Sequence, residues 1–483
     1  MISLPDLADR VDCVVGDRLE GAVRGHHRRR LRRVGWEPAL DVAPAFWAAE
    51  APAPRTGNEV EIFIDGADAL PAMVRVMRAA RQRVCLAGWF FSAAFALERG
   101  SPGLTLEDLL GELAERVEVY VLAWAGAPLP LFRPGRRDVR DELERIARQP
   151  GVHVAADRRE RPMHCHHEKL VIVDDERAFV GGIDLTDLAG DRLDEAGHPN
   201  RGSLGWHDAA SLVTGPVAGD AASHFQMRWH EVTGRSLAPL HTAERSGGVQ
   251  VQLVRTVPEH VYDALPRGEF TILAAYLGAL RAAERLIYLE NQFLWSSEVV
   301  AVLQDKLRNP PCDEFRIVLV LPSRPNNGAD DTRGQLGVLV EADAGQGRFL
   351  ACTIYSPAGP RVERVYVHAK IGIVDDRWLT LGSANLNEHS LFNDTEVNIV
   401  VNDERLARET RTRLWAEHLE LPEADLQGDP CRVIDELWAP RARAQRDRVE
   451  AHVPVSHRLV ELPQVSRRSK RLFGPIQSLL VDG

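Results

Sequence analysis

Lysine is scarce in this 483-residue chain. Lys169, Lys306, Lys370 and Lys470 are the only four among 59 basic side chains, and the rest are arginine. Arginine therefore fills nearly every ordinary surface role, and a retained lysine marks a place that wants a compact ammonium rather than a planar fork. Cysteine is sparse too. The six (Cys13, Cys85, Cys165, Cys312, Cys352, Cys431) are scattered and form no Cys-x-x-Cys pair, which points to a reducing compartment and away from a disulfide framework. The stretch from Met1 to Asp6 lacks the basic start and apolar core of a signal peptide. The most apolar uncharged run, Val84–Leu97, is too short to span a bilayer, so a cytoplasmic protein is expected. There is no basic excess either. A net charge of −11 argues against a non-specific nucleic-acid binder.

Two of the four lysines sit in a stretch that occurs twice. His167, Lys169 and Asp174 recur as His368, Lys370 and Asp375, with Gly181 and Gly382 at matching distances beyond them. The period, about 200 residues, is far too long for a solenoid. The likeness continues upstream, where Met77–Leu86 matches Leu280–Leu289. Two copies of one domain-sized unit are expected, each burying its own core.

Each copy alternates short apolar runs with segments of helical spacing. In the first, strands at Val60–Ile64, Val84–Phe91, Val117–Ala123, Val152–Ala155 and Ala178–Val180 are interleaved with helices at Ala69–Arg83 and Leu106–Arg116. In the second, strands at Val249–Val254, Leu286–Phe293 and Phe315–Leu321 are interleaved with helices at Gly268–Arg285 and Glu298–Leu307. That order predicts α/β layers around largely buried sheets. The expected division is a leader at 1–57, a first lobe at 58–240, a second lobe at 241–420 and a tail at 421–483. The leader's basic run, Arg24 to Arg33, reads as a solvated helix face, with contact to anionic lipid as the sharper reading. The tail's basic and apolar stretch Ser466–Phe473 reads as packing against a lobe before it reads as a membrane contact.

Leu170–Val173 and Ile371–Val374 are apolar and mostly β-branched, so both motifs should lie on buried strands. Alternate side chains of a strand share a face, so His167 points with Lys169, and His368 with Lys370. Asp174 and Asp375 complete the paired catalytic set, but their opposite parity marks them as structural anchors. A duplicated imidazole beside a duplicated ammonium suits one phosphodiester clamped between two lobes. The lysines offset charge on the non-bridging oxygens. One imidazole attacks phosphorus, while the other protonates the leaving oxygen and then activates water. This needs one neutral and one protonated ring, which near-neutral histidine pKa values allow. Each ring also needs an acceptor at its other nitrogen, and Asp208 and Glu396 are the candidates. The run from His164 to His167 suggests a metal site at first sight, but strand alternation turns His164 and His166 away from Cys165 and His167, and no metal is expected. Trp206 and Tyr288 read as wall or core. Asn291 and Gln292 read as site-lining or strand-bridging amides.

These residues resemble the phospholipase D superfamily, whose signature is His-x-Lys-x4-Asp followed by Gly-Ser-x-Asn. The second copy matches throughout, with Gly382, Ser383 and Asn385. The first reads Gly181, Gly182, Ile183 and Asp184, a form common in the eukaryotic-type lipid-cleaving branch. Further similarity lies in Ile287–Phe293 and Gly205–Asp208. The resemblance covers residues 58–420. It implies two repeated α/β lobes, each a mixed sheet flanked by helices, related by a pseudo-twofold axis. The active site lies between them, with no catalytic metal and no other cofactor. It further implies His167 as nucleophile and His368 as acid and base, with Lys169, Lys370, Ser383 and Asn385 on the substrate phosphate. Asp184 departs from the pattern. A carboxylate repels phosphate, which leaves Asn385 to supply that contact.

The expected function is a phospholipase D. It hydrolyses the distal phosphodiester bond of a glycerophospholipid to phosphatidic acid and a free alcohol through a phosphohistidine. Transphosphatidylation follows when another alcohol replaces water. The expected partners are a phospholipid substrate and a membrane surface; nucleic acid and an obligate protein partner are not expected. Three alternatives remain. One is a cardiolipin-synthase-like phosphatidyltransferase, whose relatives commonly carry membrane spans. Another is a nucleic-acid phosphodiesterase, against which the acidic balance weighs. The last is a silent binding scaffold, against which both intact His/Lys pairs weigh.

Overall fold

The strands of the two halves pair in the same order in the computed structural model, which describes residues 4–100, 103–129, 133–162, 164–238, 243–326, 329–356 and 363–462. In the first half the order is Arg55–Ile64, Ala209–Thr214, Arg177–Gly181, Leu170–Val173, Arg83–Gly88, Glu118–Trp124 and Val152–Asp157. In the second it is Val249–Val257, Glu396–Asn402, Trp378–Gly382, Ile371–Val374, Leu286–Glu290, Arg316–Val320 and Phe349–Ser356. Antiparallel pairings come first in each sheet and parallel ones last, so both sheets are mixed. Parallel neighbours need a crossover, which helices Leu106–Ala114 and Arg136–Ile146 supply in the first half and Ser297–Arg308 and Ala329–Asp343 in the second. The leading strands of the halves meet edge to edge, with Arg55 opposite Val251 and Asn58 opposite Val249.

Strand alternation sorts the core. Leu170 and Ile172 face inward and share one apolar cluster with Ile371, Ile373 and Val397 of the other half. Val171 and Val173 face outward and pack with Leu109 and Leu113 of the first half's helices. Val374 packs outward with Leu277 and Leu303 of the second. The two sheets thus back onto a common core, and each carries its own helices outside.

Each motif strand turns at once into its hairpin partner. Asp174 and Asp175 have φ of 54° and 58°, Asp375 and Asp376 of 54° and 51°. Glu176 N donates to Val173 O at 3.1 Å and Arg377 N to Val374 O at 3.0 Å. Three residues separate the paired strand ends, Val173 from Arg177 and Val374 from Trp378, and the first two of each turn take the left-handed conformation that matches strand twist. Helix Leu106–Ala114 starts on a reciprocal cap between Thr105 and Asp108, which satisfies donors the first turn leaves open.

Helix Leu4–Val34 packs on the second half, and its basic run is not the uniformly solvated face expected. His27, Arg30 and Leu31 share a face by helical spacing. Arg30 is buried and grips both oxygens of Glu259 at 2.7 Å, and His27 stacks on Phe392 at 4.0 Å. Arg28 and Arg32 stay outside, paired with Asp41 and Glu37. Strand Leu459–Glu461 extends the second sheet beside Phe349–Ser356. Ser466–Phe473 lies outside the described residues. The strand expected to reach Phe293 stops at Glu290, because Asn291 Oδ1 accepts from Phe293 N at 3.1 Å and Leu386 N at 3.0 Å and turns the chain. Gly205–His207 and Glu363–Val367 pair in parallel across the halves, a link that the sequence does not reveal. No described helix is long and apolar enough to cross a membrane.

Candidate active site

Each motif reaches the site just before its strand begins, held there by the backbone of the other half. His167 N and Glu168 N donate to Thr395 O at 2.9 and 3.1 Å; His368 N and Ala369 N donate to His207 O at 2.8 and 3.1 Å. The residues that follow these two acceptors are Glu396 and Asp208. His167 Nδ1 lies 3.0 Å from Glu396 Oε1, and His368 Nδ1 lies 2.6 Å from Asp208 Oδ2. Both candidate acceptors therefore meet a motif histidine, each crossing to the other half.

The surroundings tune these groups. Ser390 and Ser383 donate to Oε1 and Oε2 of Glu396, each at 2.5 Å, and burial pushes this carboxyl up to about 8. Asp208 Oδ1 accepts from Ala209 N at 2.8 Å, and Oδ2 from Trp206 Nε1 at 3.3 Å. Burial, then the charges of Lys370 and Arg192, hold the His368 imidazole well below the usual histidine range. Burial also brings Lys370 down to about 7, with Lys169 adding to the effect and Asp208 opposing it.

Both lysines fold back on their own motif. Lys169 Nζ donates to His167 O at 2.7 Å and stands 3.4 Å from Asp184 Oδ1. Lys370 Nζ donates to His368 O at 2.5 Å and to Gln292 Oε1 at 3.4 Å. Gln292 Oε1 also accepts from Asn385 Nδ2 at 3.3 Å, while Gln292 Nε2 donates to Tyr366 Oη at 2.9 Å. Asp184 thus neighbours its lysine directly, and Asn385 reaches its lysine through Gln292. Asn385 Oδ1 is buried without a hydrogen-bond partner.

Several expected residues stand elsewhere. Ser383 is corrected from the phosphate set: its hydroxyl donates to Glu396 and accepts from Val397 N at 3.1 Å, so it braces the histidine's acceptor. Asp174 and Asp375 are corrected from the catalytic set. Asp174 accepts the N–H groups of Arg81, Gln82 and Arg83 at 2.8, 2.8 and 2.9 Å. Asp375 does the same for Glu284, Arg285 and Leu286 at 2.7, 2.8 and 2.7 Å. Each therefore anchors the start of the neighbouring strand. Tyr288 is core, packed on Trp415 and Trp438. His164 turns to His389 at 3.1 Å and His166 to Thr395 Oγ1 at 2.9 Å, so the two do not converge.

Arg192 escapes sequence reasoning. It is 5% exposed, its guanidinium carbon lies 3.6 Å from the centre of the Trp206 ring, and Nη2 donates to Leu188 O at 3.2 Å. Nε and Nη1 are buried without a partner. Trp206 in turn packs against His368 at 4.9 Å and Tyr366 at 4.7 Å. The loop that carries Arg192 has no periodicity, and one arginine among so many gives no signal.

A family profile described as "Cardiolipin synthase, PLD-like domain" matches residues 278–417. Phospholipase D A of Dictyostelium discoideum is 27% identical over 75% of this chain, and the chain spans 36% of that relative's length. Cardiolipin synthase A of Pseudomonas entomophila is 24% identical, over 80% of this chain and 76% of its own. The solved phosphatidylserine synthase of Haemophilus influenzae shares the fold, with a TM-score of 0.56 at 13% identity over 84% of this chain and 96% of its own. The duplicated motif, the two mixed sheets and these likenesses agree: the chain is similar to members of the phospholipase D superfamily, those of its eukaryotic-type branch among them.

Proposed function

We propose that this chain is a phosphodiesterase of the phospholipase D type, cleaving the distal phosphodiester bond of a glycerophospholipid at a membrane surface. The supporting observation is the pair of histidines, each held at Nδ1 by a buried carboxyl group from the opposite half and each beside its own buried lysine. With Nδ1 engaged, Nε2 is the nitrogen that does the chemistry.

His167 Nε2 attacks phosphorus. The new N–P bond forms as the bond to the headgroup oxygen breaks, and His368 gives that oxygen its proton, so the headgroup leaves as an alcohol. Water then attacks the phosphatidyl-histidine, His368 takes its proton, and phosphatidic acid departs. An alcohol in place of water gives transphosphatidylation. Lys169, Lys370 and Asn385 face the non-bridging oxygens, and Arg192 adds a third positive charge with two open donors. It offsets the repulsion that Asp184 brings to the phosphate.

The reversed assignment has one observation in its favour. Burial, then the charges of Lys370 and Arg192, hold the His368 imidazole well below the usual histidine range, which favours the unprotonated ring that a nucleophile requires. Vesicles of phosphatidylcholine and phosphatidylglycerol with a short primary alcohol test the reaction. Phosphatidic acid plus the phosphatidyl-alcohol supports the reading. Cardiolipin as the main product assigns a synthase, and an inert lipid pool overturns the substrate class.

A further inference from the structure

Behind Asp208 lies a second group of polar side chains that the phosphodiester chemistry does not use. Asp65 follows strand Arg55–Ile64, His198 sits in the loop after the first motif, His207 ends strand Gly205–His207, and Glu417 comes from helix Glu404–Leu419 of the second half. Asp65, His198 and His207 are 1%, 1% and 0% exposed, and the Glu417 side chain 5%.

Their polar atoms converge. His198 Nε2 lies 3.1 Å from Glu417 Oε1 and 3.8 Å from Asp65 Oδ2. His207 Nδ1 lies 3.0 Å from Asp65 Oδ1 and 3.3 Å from Glu417 Oε1. Four ligand atoms placed about 2.0–2.1 Å from a tetrahedral ion stand about 3.3 Å apart; the observed spacings, with Asp65 nearing His207 through Oδ1 and His198 through Oδ2, run from 3.0 to 3.8 Å. Despite this proximity, neither His207 Nδ1 nor Asp65 Oδ2 makes a hydrogen bond. Both belong to buried side chains, and one ligand atom from each of the four residues lies within 4.8 Å of the others. The far nitrogens are held as well: His198 Nδ1 lies 2.9 Å from Asp194 Oδ2, and His207 Nε2 2.8 Å from Glu290 Oε2. A carboxylate behind each imidazole fixes the ring and strengthens it as a metal ligand.

We propose that Asp65, His198, His207 and Glu417 bind one zinc ion as a closed, four-coordinate structural site that ties the two halves together. Two imidazoles and two carboxylates suit zinc, whereas calcium and magnesium ask for a larger, all-oxygen shell. The two carboxylates neutralise a divalent ion. All four positions are filled by protein, so the ion takes no part in phosphoryl transfer. Its effect runs through the backbone: Asp65 N donates to Asp208 O at 2.8 Å, Asp208 N donates to Asp65 Oδ1 at 3.1 Å, and His207 O accepts from His368 N. The ion therefore fixes the segment that holds Asp208 against His368. The proposal stands apart from the choice of lipid substrate.

Metal analysis of the purified full chain tests it, followed by chelator stripping and titration with zinc and with cobalt. One zinc per chain is expected. Cobalt should give the intense visible bands of a tetrahedral centre, and restored zinc should raise the melting temperature by several degrees. His198→Ala and Glu417→Gln should lose both the zinc and the cobalt bands; if either variant fails to fold, the cobalt spectrum of the unaltered chain still decides. A stripped chain that takes up no zinc and melts unchanged overturns the proposal and leaves a network of protonated imidazoles. Zinc held equally by both variants overturns it too, since the ion then lies elsewhere.

Discussion

Nδ1 of His167 lies 3.0 Å from Oε1 of Glu396, 229 residues further along the chain and in the opposite half. The reciprocal pair, His368 with Asp208, spans 160 residues at 2.6 Å. Neither motif histidine finds its carboxyl partner within its own half, so the duplication yields one site rather than two.

That crossing makes the acceptors as testable as the histidines. Glu396→Gln and Asp208→Asn should each lower kcat by about 10²–10⁴-fold, as when an imidazole loses the carboxylate that sets its tautomer. KM should change little, because neither carboxylate meets substrate. Steady-state kinetics on mixed vesicles measures both. A rise in KM at constant kcat would place these groups on the substrate instead.

Asp174→Ala should cost stability and spare chemistry. Three backbone N–H groups lose their acceptor, a loss of about 1–3 kcal/mol. Thermal denaturation should show a lowered midpoint, while the folded enzyme below it keeps near-normal kcat. Loss of kcat in a fully folded variant would return Asp174 to the catalytic set.

Arg192→Ala should reduce kcat/KM by about 10–10³-fold, the range for removing one donor that faces developing charge. Arg192→Lys should recover only part of it, since the open Nε and Nη1 donors are features of the fork. Unchanged kinetics in both variants would leave Arg192 as packing for Trp206.

Lys370 supplies the pH dependence. Its pKa is lowered to about 7 by burial, so in the free enzyme the ammonium is lost as pH rises through that value. Affinity for a non-hydrolysable phosphodiester should weaken above pH about 7, and Lys370→Met should flatten that profile. The sign for stability is opposite. The unfolded lysine keeps its proton up to its ordinary range, so this group's contribution to stability rises with pH from about 7 towards that range. A binding profile that stays level across neutral pH would contradict the lowered value.

Much of this was legible in the residues. The paired His-x-Lys spacing pointed to the candidate site, and alternation along Leu170–Val173 separated His167 and Lys169 from Asp174. The acids Glu396 and Asp208 were recognisable as types, but not their crossing. That depends on Thr395 and His207 presenting their carbonyls across the halves, a contact without local periodicity. Ser383 illustrates the limit from the other side: its motif position suggested phosphate, and only the fold shows its hydroxyl turned to Glu396. Arg192 and His198 belong to an irregular loop, where spacing says nothing about direction.

The proposed mechanism turns on a covalent phosphatidyl-histidine formed between the two halves. Rapid acid-free quenching of the enzyme with radiolabelled phospholipid, followed by peptide mapping, tests it most directly. An acid-labile, base-stable label is expected on His167 and absent from His167→Ala. Full turnover with no label on either histidine, or a label on another residue, would contradict it.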